Sequence, residues 1–413
     1  MWHDGHSRGT GPAAGSADVA PRRDWHTRSG MVEMCEAIQW GWVMRGLIRL
    51  TVASFVLVGP AFAASQKDWS DCRGKDAGKS VSGCTRVLQD KKLSARERAD
   101  AYYNLGLAHK ANDDLDRALA DYTDAISADP KWAVPYAKRG DLYDDKGDQD
   151  RAIADLSDAI RLDPDYAWAY AIRGYIYDNM GNRDRAISDY SNAIRIDPKD
   201  VGTIANRGWT RRKKGDLDGA FADFNEAIRL DPKFVRAYYN RGLAWSDRKD
   251  YDRSINDFNE AIRLEPKNDV AYHDRALARF YKGDFASSAD DLQRSNELKP
   301  ESFTVLRLYI ARSRAGANGT AELQRNADEL KSKGWPRPII EFYLGKRSAE
   351  EMVAAADNAE RRCDAQFYLG EWQLLQNKRE EAAVSLRAAM ADECPKYLFE
   401  FVAAAVDLKR MGP

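Results

Sequence analysis

The chain has 413 residues, with 64 Lys and Arg against 65 Asp and Glu, and 44% of it is apolar. A net charge of -1 provides no field to gather nucleic acid or an anionic membrane. The apolar content, with 10% aromatics, is too high for a disordered chain, and a mean hydropathy of -0.64 excludes a polytopic membrane protein.

Residues 1–43 mix Gly, Ser, Pro, Arg and His without an apolar period. The pattern changes at Met44. Met44–Arg49 is a short basic stretch, Leu50–Pro60 is apolar, and Ala61-Phe62-Ala63 has the small-residue spacing of a cleavage site. The apolar run is shorter than the ~20 residues that span a bilayer. The expectation is therefore a cleavable export signal over 44–63, with 1–43 a non-native upstream extension. No Cys follows the cleavage site directly, so a lipid anchor is not expected. The predicted location is periplasmic or secreted, with no stable membrane anchor after cleavage.

Cysteine usage points the same way. Beyond Cys35, four remain: Cys72, Cys84, Cys363 and Cys394. They fall as two local pairs near the two ends, and an even count in an exported chain reads as disulfides. The C-x₂₋₄-C spacing of a zinc site is missing. Residues 64–98 are expected to be an N-terminal cap, with a disulfide-tied segment and one helix over 68–92.

Over 99–302 the sequence repeats every 34 residues. Pro130, Pro164, Pro198, Pro232, Pro266 and Pro300 mark the frame. The eighth position is Gly106, Gly140, Gly174, Gly208 and Gly242, then Ala276. The twentieth and twenty-seventh positions are Ala or Ser, as in Ala118 and Ala125 of the first copy. Tyr102, Tyr136, Tyr170, Tyr238 and Tyr272 precede the eighth position by four. Each copy has two amphipathic stretches separated by Gly-Asp or a variant. Gly ends the first helix in a left-handed conformation, Asp or Asn caps the second, and the residue before Pro stops it. Six copies with G, A, A and P at these offsets resemble the tetratricopeptide repeat. The expected fold is all-α, a right-handed superhelical solenoid of antiparallel helix pairs, in which stacking buries what one hairpin cannot.

One departure recurs. The seventh position of copies two to six is Arg139, Arg173, Arg207, Arg241 and Arg275, where the resemblance implies Leu; the first copy keeps Leu105. The twenty-third is Asp121, Asp155, Asp189, Asp223, Asp257 and Asp291. Two readings are open, an Arg–Asp ladder between paired helices or two solvated faces. The ladder is the expectation.

Residues 303–413 continue the array in degraded form. Helices are predicted over 303–315, 320–333, 339–344, from the Ser348/Glu351 capping box to about Asn358, and over 397–410. Gly370, Ala382 and Ala389 restore the repeat frame over 363–394. Cys363 is expected to open the first helix of that hairpin and Cys394 to follow its second. The stretches RPIIEFYLGKRSAEEM and CDAQFYLGEWQLLQNKREEAAVSLRAAM resemble the C-terminal part of bacterial envelope repeat proteins of the new-lipoprotein-I type. Those are periplasmic adaptors that bring cell-wall hydrolases to a protease, and the resemblance implies adaptor behaviour.

No dinucleotide fingerprint, P-loop or G-x-S-x-G occurs. No catalytic residue, cofactor or metal is predicted. In tetratricopeptide proteins, positions 2, 5, 9, 12 and 13 of the first helices line the concave groove. Here these include the aromatics Trp168, Tyr175, Trp209, Tyr103, Tyr239, Phe280 and Tyr281. Exposed aromatics suit a peptide; the alternative is burial between repeats. Charge in the groove is split, with Asp141, Asp144, Asp145 and Asp178 in copies two and three and Arg212, Lys213 and Arg236 in copies four and five. Two functions follow as expectations. The first is a non-catalytic adaptor binding a protein or peptide. The second is an accessory subunit of an envelope enzyme complex, binding cell-wall glycan or lipid.

Overall fold

The computed structural model describes residues 63–330, 333–396 and 398–412. The predicted upstream extension and nearly all of the export signal lie outside the described residues. All described secondary structure is helical.

The N-terminal cap holds two helices rather than one, α1 (Gln66–Cys72) and α2 (Ala77–Val87). Ser65 and Asp68 form a capping box on α1, and Asp76 caps α2. The Cys72–Cys84 disulfide ties the two, with Cα atoms 4.4 Å apart. Arg86 on α2 binds Asp68 at 2.5 Å and Asp71 at 3.0 Å across the same seam.

The six repeats are helix pairs: α3 (Ala95–Ala111) with α4 (Leu115–Ala128), α5 (Ala133–Asp145) with α6 (Gln149–Leu162), and α7 (Ala167–Asn179) with α8 (Arg183–Ile196). Then follow α9 (Val201–Lys214) with α10 (Leu217–Leu230), α11 (Val235–Asp247) with α12 (Tyr251–Leu264), and α13 (Asp269–Lys282) with α14 (Phe285–Leu298). Gly147, Gly181, Gly215 and Gly283 break the pairs at positive φ, as the sequence predicts. In the first and fifth repeats Asp113 and Lys249 adopt that conformation instead. Asp114, Asp148, Asp216, Asp250 and Asp284 cap the second helices through their side chains. Asn182 stands at the corresponding position without a side-chain cap bond.

The eighth position sets how closely the two helices of a pair approach. A Cβ on Gly208 would lie 2.7 Å from Phe224 Cε1, and one on Gly242 would lie 2.9 Å from Phe258 Cε1. The sixth repeat carries Ala276 at this place, and the residue facing it in the frame is the smaller Leu292. Both are fully buried.

The predicted ladder is present in all five copies. Arg139 binds both oxygens of Asp155 at 2.7 and 2.8 Å, and Arg173 binds Asp189 at 2.8 and 2.9 Å. Arg207, Arg241 and Arg275 grip Asp223, Asp257 and Asp291 in the same two-pronged way. These aspartates are almost fully buried, so the pairs are sheltered from screening. Each guanidinium keeps one nitrogen for the preceding repeat. Arg173 donates to Ser157 at 2.9 Å, Arg207 to Ser191 at 3.1 Å and Arg241 to Asn225 at 2.6 Å. Arg139 and Arg275 reach Thr123 and Asn259 likewise. The first repeat has no such Arg, and there His109 Nδ1 meets Asp121 at 2.5 Å.

Beyond the repeats come α15 (Ser302–Arg314), α16 (Thr320–Glu329), α17 (Arg337–Tyr343) and α18 (Ala349–Ala354). Two predicted helices are shorter than expected. The helix from the capping box ends at Ala354 rather than near Asn358, because Asn358 caps the next helix by accepting from Arg361 N. That helix, α19 (Ala359–Leu375), starts before Cys363, so Cys363 lies in its second turn rather than at its opening. It pairs with α20 (Arg379–Ala388), and the Cys363–Cys394 disulfide closes the pair with Cα atoms 5.8 Å apart. The other shortened helix is α16, described only to Glu329. Last is α21 (Phe399–Met411). No described helix is long and apolar enough to cross a membrane.

Candidate protein-binding groove

The first helices of neighbouring repeats touch one another: α5 meets α7, α7 meets α9, α9 meets α11 and α11 meets α13. Helices on the inner radius of a curved stack lie closest, so this set lines the concave face. The side chains predicted for the groove sit on these helices.

Ninth-position residues form a row along the groove floor. Tyr175, Trp209, Leu243 and Leu277 follow one another in copies three to six, all partly exposed. Leu107 opens the row in the first copy and is 37% exposed. Trp209 carries the Arg212 guanidinium 4.9 Å above its ring and the Lys213 ammonium at 5.9 Å. Trp168, at the second position of its copy, has the Lys138 ammonium 3.7 Å from its centroid. Burial pushes the Lys138 ammonium below its ordinary value, while Asp141 opposes the shift.

Groove charges are paired across repeats rather than left as an acidic half and a basic half. Lys213 binds Asp178 of the preceding repeat at 3.1 Å, and Arg212 binds Asp247 of the following one at 2.7 Å. Asp141 and Asp145 share Lys110 of the first repeat at 2.7 and 2.9 Å. Positions 12 and 13 of adjacent first helices come within salt-bridge distance, so the sequence-level split is neutralised in place. Asp144 and Arg236 also sit at groove positions, partly buried, and Arg236 lies 5.2 Å over the Phe234 ring. Lys110, Lys138 and Asp247 are groove residues the sequence reading missed.

Four predicted aromatics belong partly or wholly to the packing. Tyr103 is held edge-on against Trp132 at 5.0 Å. Tyr239 packs on Phe258 and donates its hydroxyl to Asp274 at 2.6 Å, and burial pushes its pKa well up. Phe280 is a correction: it is 1% exposed, wedged between Phe285 and Phe399 at 5.0 and 5.4 Å. Tyr281 lies stacked against Phe399 at 5.7 Å.

Phe399 belongs to α21, which lies across the concave face of α13, α15 and α19. Its Arg410 donates to the Phe280 and Tyr281 carbonyls at 3.1 and 2.9 Å. Arg307 of α15 binds Glu400 at 2.9 Å, and Arg314 binds Asp407 at 2.6 Å. The C-terminal helix thus occupies the groove from the sixth repeat onward, and the open part runs from the first repeat to the fifth. Among the described residues, no group of His, Cys, Asp or Glu is arranged to hold a metal ion.

A tetratricopeptide repeat family model matches residues 99–131, 167–200 and 235–268, and a related TPR repeat model matches 140–181 and 208–245. The central array therefore consists of tetratricopeptide repeats, and the all-helical solenoid is the fold they build. No matched family model reaches residues 337–390, so the resemblance stated for that stretch rests on its sequence alone. No curated protein matches the chain. Among solved structures, the MamA protein is 27% identical, with 41% of this chain and 93% of that chain covered and a TM-score of 0.38. YrrB, described as a TPR protein with an unusual peptide-binding site, is 20% identical, with 44% and 94% covered and a TM-score of 0.39. A tetratricopeptide repeat protein from Parabacteroides merdae is 18% identical, with 60% and 96% covered and a TM-score of 0.45.

Proposed function

We propose that this tetratricopeptide-repeat solenoid is a non-catalytic adaptor of the bacterial envelope, which binds a protein partner through the open part of its groove. One observation carries the reading: the row of Tyr175, Trp209 and Leu243 on the concave floor, flanked by charges already fixed by partners in adjacent repeats. Partly exposed aromatics held by rigid neighbours lose little entropy on binding, and Trp and Tyr are the residue types that dominate interface energetics. The paired charges contribute register rather than a net field, which suits a polypeptide over a polyanion. The export signal expected from the sequence over 44–63 supports the periplasmic setting, as does the resemblance of residues 337–390 to envelope adaptors.

The test is capture from an envelope lysate with the full chain and with a Tyr175→Ala/Trp209→Ala variant in parallel. A protein retained by the first and lost by the second is the expected result. Identical retention by both chains removes the groove from the reading. Retention on isolated cell wall in place of any protein overturns the adaptor role.

A further inference from the structure

The seat of α21 contains more carboxylates than it has cations to match. Four acids lie buried there in two layers: Asp364 with Glu400, and Glu371 with Asp407. Within each helix the spacing is seven residues, 364 to 371 on α19 and 400 to 407 on α21. The cations keep the same spacing on α15, where Arg307 serves one layer and Arg314 the other. Seven residues are two helical turns, so the three helices present two equivalent tiers.

In the first tier, Arg307 is only 11% exposed and donates to Glu400, which also accepts from the Tyr368 hydroxyl at 3.0 Å. Asp364 accepts from Trp335 Nε1 at 2.9 Å. From α13, His273 Nε2 accepts from Arg307 at 2.9 Å, leaving its other nitrogen to face Asp274 at 3.0 Å. Glu360, one turn before Asp364, adds a further negative charge. In the second tier, Arg314 reaches both Glu371, at 3.5 Å, and Asp407, and Arg410 adds 3.0 Å to Asp407. Tyr343 of α17 is the other titratable group near Glu371. Glu371 and Asp407 lie within hydrogen-bonding reach of each other, yet each keeps one buried oxygen without a partner.

Two ionised carboxylates cannot share such a site at low cost, and a buried acceptor without a donor costs ~1–3 kcal/mol. In the Glu371–Asp407 tier one proton resolves both problems, because a carboxyl group donates where a carboxylate cannot, and in the Asp364–Glu400 tier one proton relieves the repulsion between the two charges. We infer that α21 is a proton-gated latch on the concave face, docked while each acid pair holds one proton and released as those protons leave. Protonation is consistent with the surroundings of both α19 acids. Burial first, and the Glu400 charge second, push Asp364 up to about 8. Burial and then Asp407 push Glu371 well above the usual carboxylate range.

The sign follows from linkage. An acid whose pKa is raised in the docked state takes up a proton on docking, so docking is favoured at low pH. It weakens as pH rises from the ordinary carboxylate value near 4 towards about 8 for Asp364. Each coupled proton moves the docking equilibrium by up to about tenfold per pH unit within that interval. Release uncovers Phe280, Tyr281, Arg307 and Arg314, and so lengthens the open groove by the sixth repeat and α15.

Amide hydrogen exchange on the full chain tests the latch. Protection is taken relative to the unfolded-chain rate at each pH. Between pH 6 and pH 9, protection over 399–411 is expected to fall at least tenfold while that of α9 and α10 holds. Asp364→Asn and Glu371→Gln together should flatten the fall. Should that variant fail to fold, Glu400→Gln serves instead, since it leaves Arg307 to Asp364 alone and should shrink the fall. No fall in the parent chain overturns the latch, and so does an undiminished fall in whichever variant folds. No partner is needed, so the outcome is independent of whether the groove binds a peptide.

Discussion

The Arg207 guanidinium holds both carboxylate oxygens of Asp223, sixteen residues ahead, at 3.1 and 2.6 Å. Asp223 is 3% exposed, so removing its partner strands a charge in the interior. The copies are not equally vulnerable. Arg211 also binds Asp223 at 2.8 Å, whereas the third copy has Tyr177 at that place and Asp189 depends on Arg173. Arg173→Ala should therefore destabilise its repeat by about 3–5 kcal/mol, and Arg207→Ala by distinctly less. Urea titration with exchange protection read on α8 and α10 gives the comparison. Equal losses would show that the second arginine does not shelter the aspartate.

Gly208→Ala should cost about 1–3 kcal/mol, because the new Cβ meets the Phe224 ring at 2.7 Å. The sixth repeat contains its own remedy in the Ala276 and Leu292 combination. Adding Phe224→Leu to Gly208→Ala should recover part of the loss, since a Cβ on Gly140 would still meet the facing Leu156 at 3.0 Å. Thermal melting of the single and double variants decides it; a double variant less stable than the single one would refute the size matching.

Phe280→Ala and the Tyr175→Ala/Trp209→Ala pair should behave in opposite ways. Phe280 is buried among aromatics, and its truncation should cost about 3–5 kcal/mol. Tyr175 and Trp209 are partly exposed on the groove floor, and their loss should leave helical content and melting nearly unchanged. Circular dichroism on both variants checks the contrast. A large drop in melting for the groove pair would move it into the core.

Loss of the Cys363–Cys394 bond should loosen the C-terminal end by about 4 kcal/mol, and loss of Cys72–Cys84 the N-terminal end by about 3 kcal/mol. Both figures follow from loop-closure entropy over 31 and 12 residues of separation. Non-reducing peptide mapping establishes the pairs. Exchange protection in Cys363→Ser/Cys394→Ser and Cys72→Ser/Cys84→Ser variants then locates the effect. Protection lost in the central repeats rather than at the ends would contradict this account.

The array was legible because its period is strict. Gly at position eight of five copies and Pro at position 32 of all six recur whatever the rest of the copy does, and Arg139 to Asp155 was readable as one exchange repeated five times. The third partner of each guanidinium was harder to see. Thr123, Ser157, Ser191, Asn225 and Asn259 differ in chemistry and share only a short side chain with an acceptor oxygen. The seat of α21 was not legible at all. An amphipathic helix states that one face must be covered, but not by what, and Arg410 finds Phe280 across 130 residues. Positions 12 and 13 are open only where nothing lies over them, so the repeat frame puts Phe280 and Tyr281 in the groove while Phe399 covers them.

The division of each ladder guanidinium has a mechanical consequence. It binds its own repeat through a two-pronged ion pair and the preceding repeat through a single hydrogen bond, as Arg173 does with Asp189 and Ser157. A pull applied to the two ends of the array loads the single bonds first. The seams between hairpins then part before the helices within a hairpin separate. Extension should proceed as a staircase, each step parting one seam, with about 110–120 Å of contour length appearing only when the freed 34-residue hairpin itself unfolds.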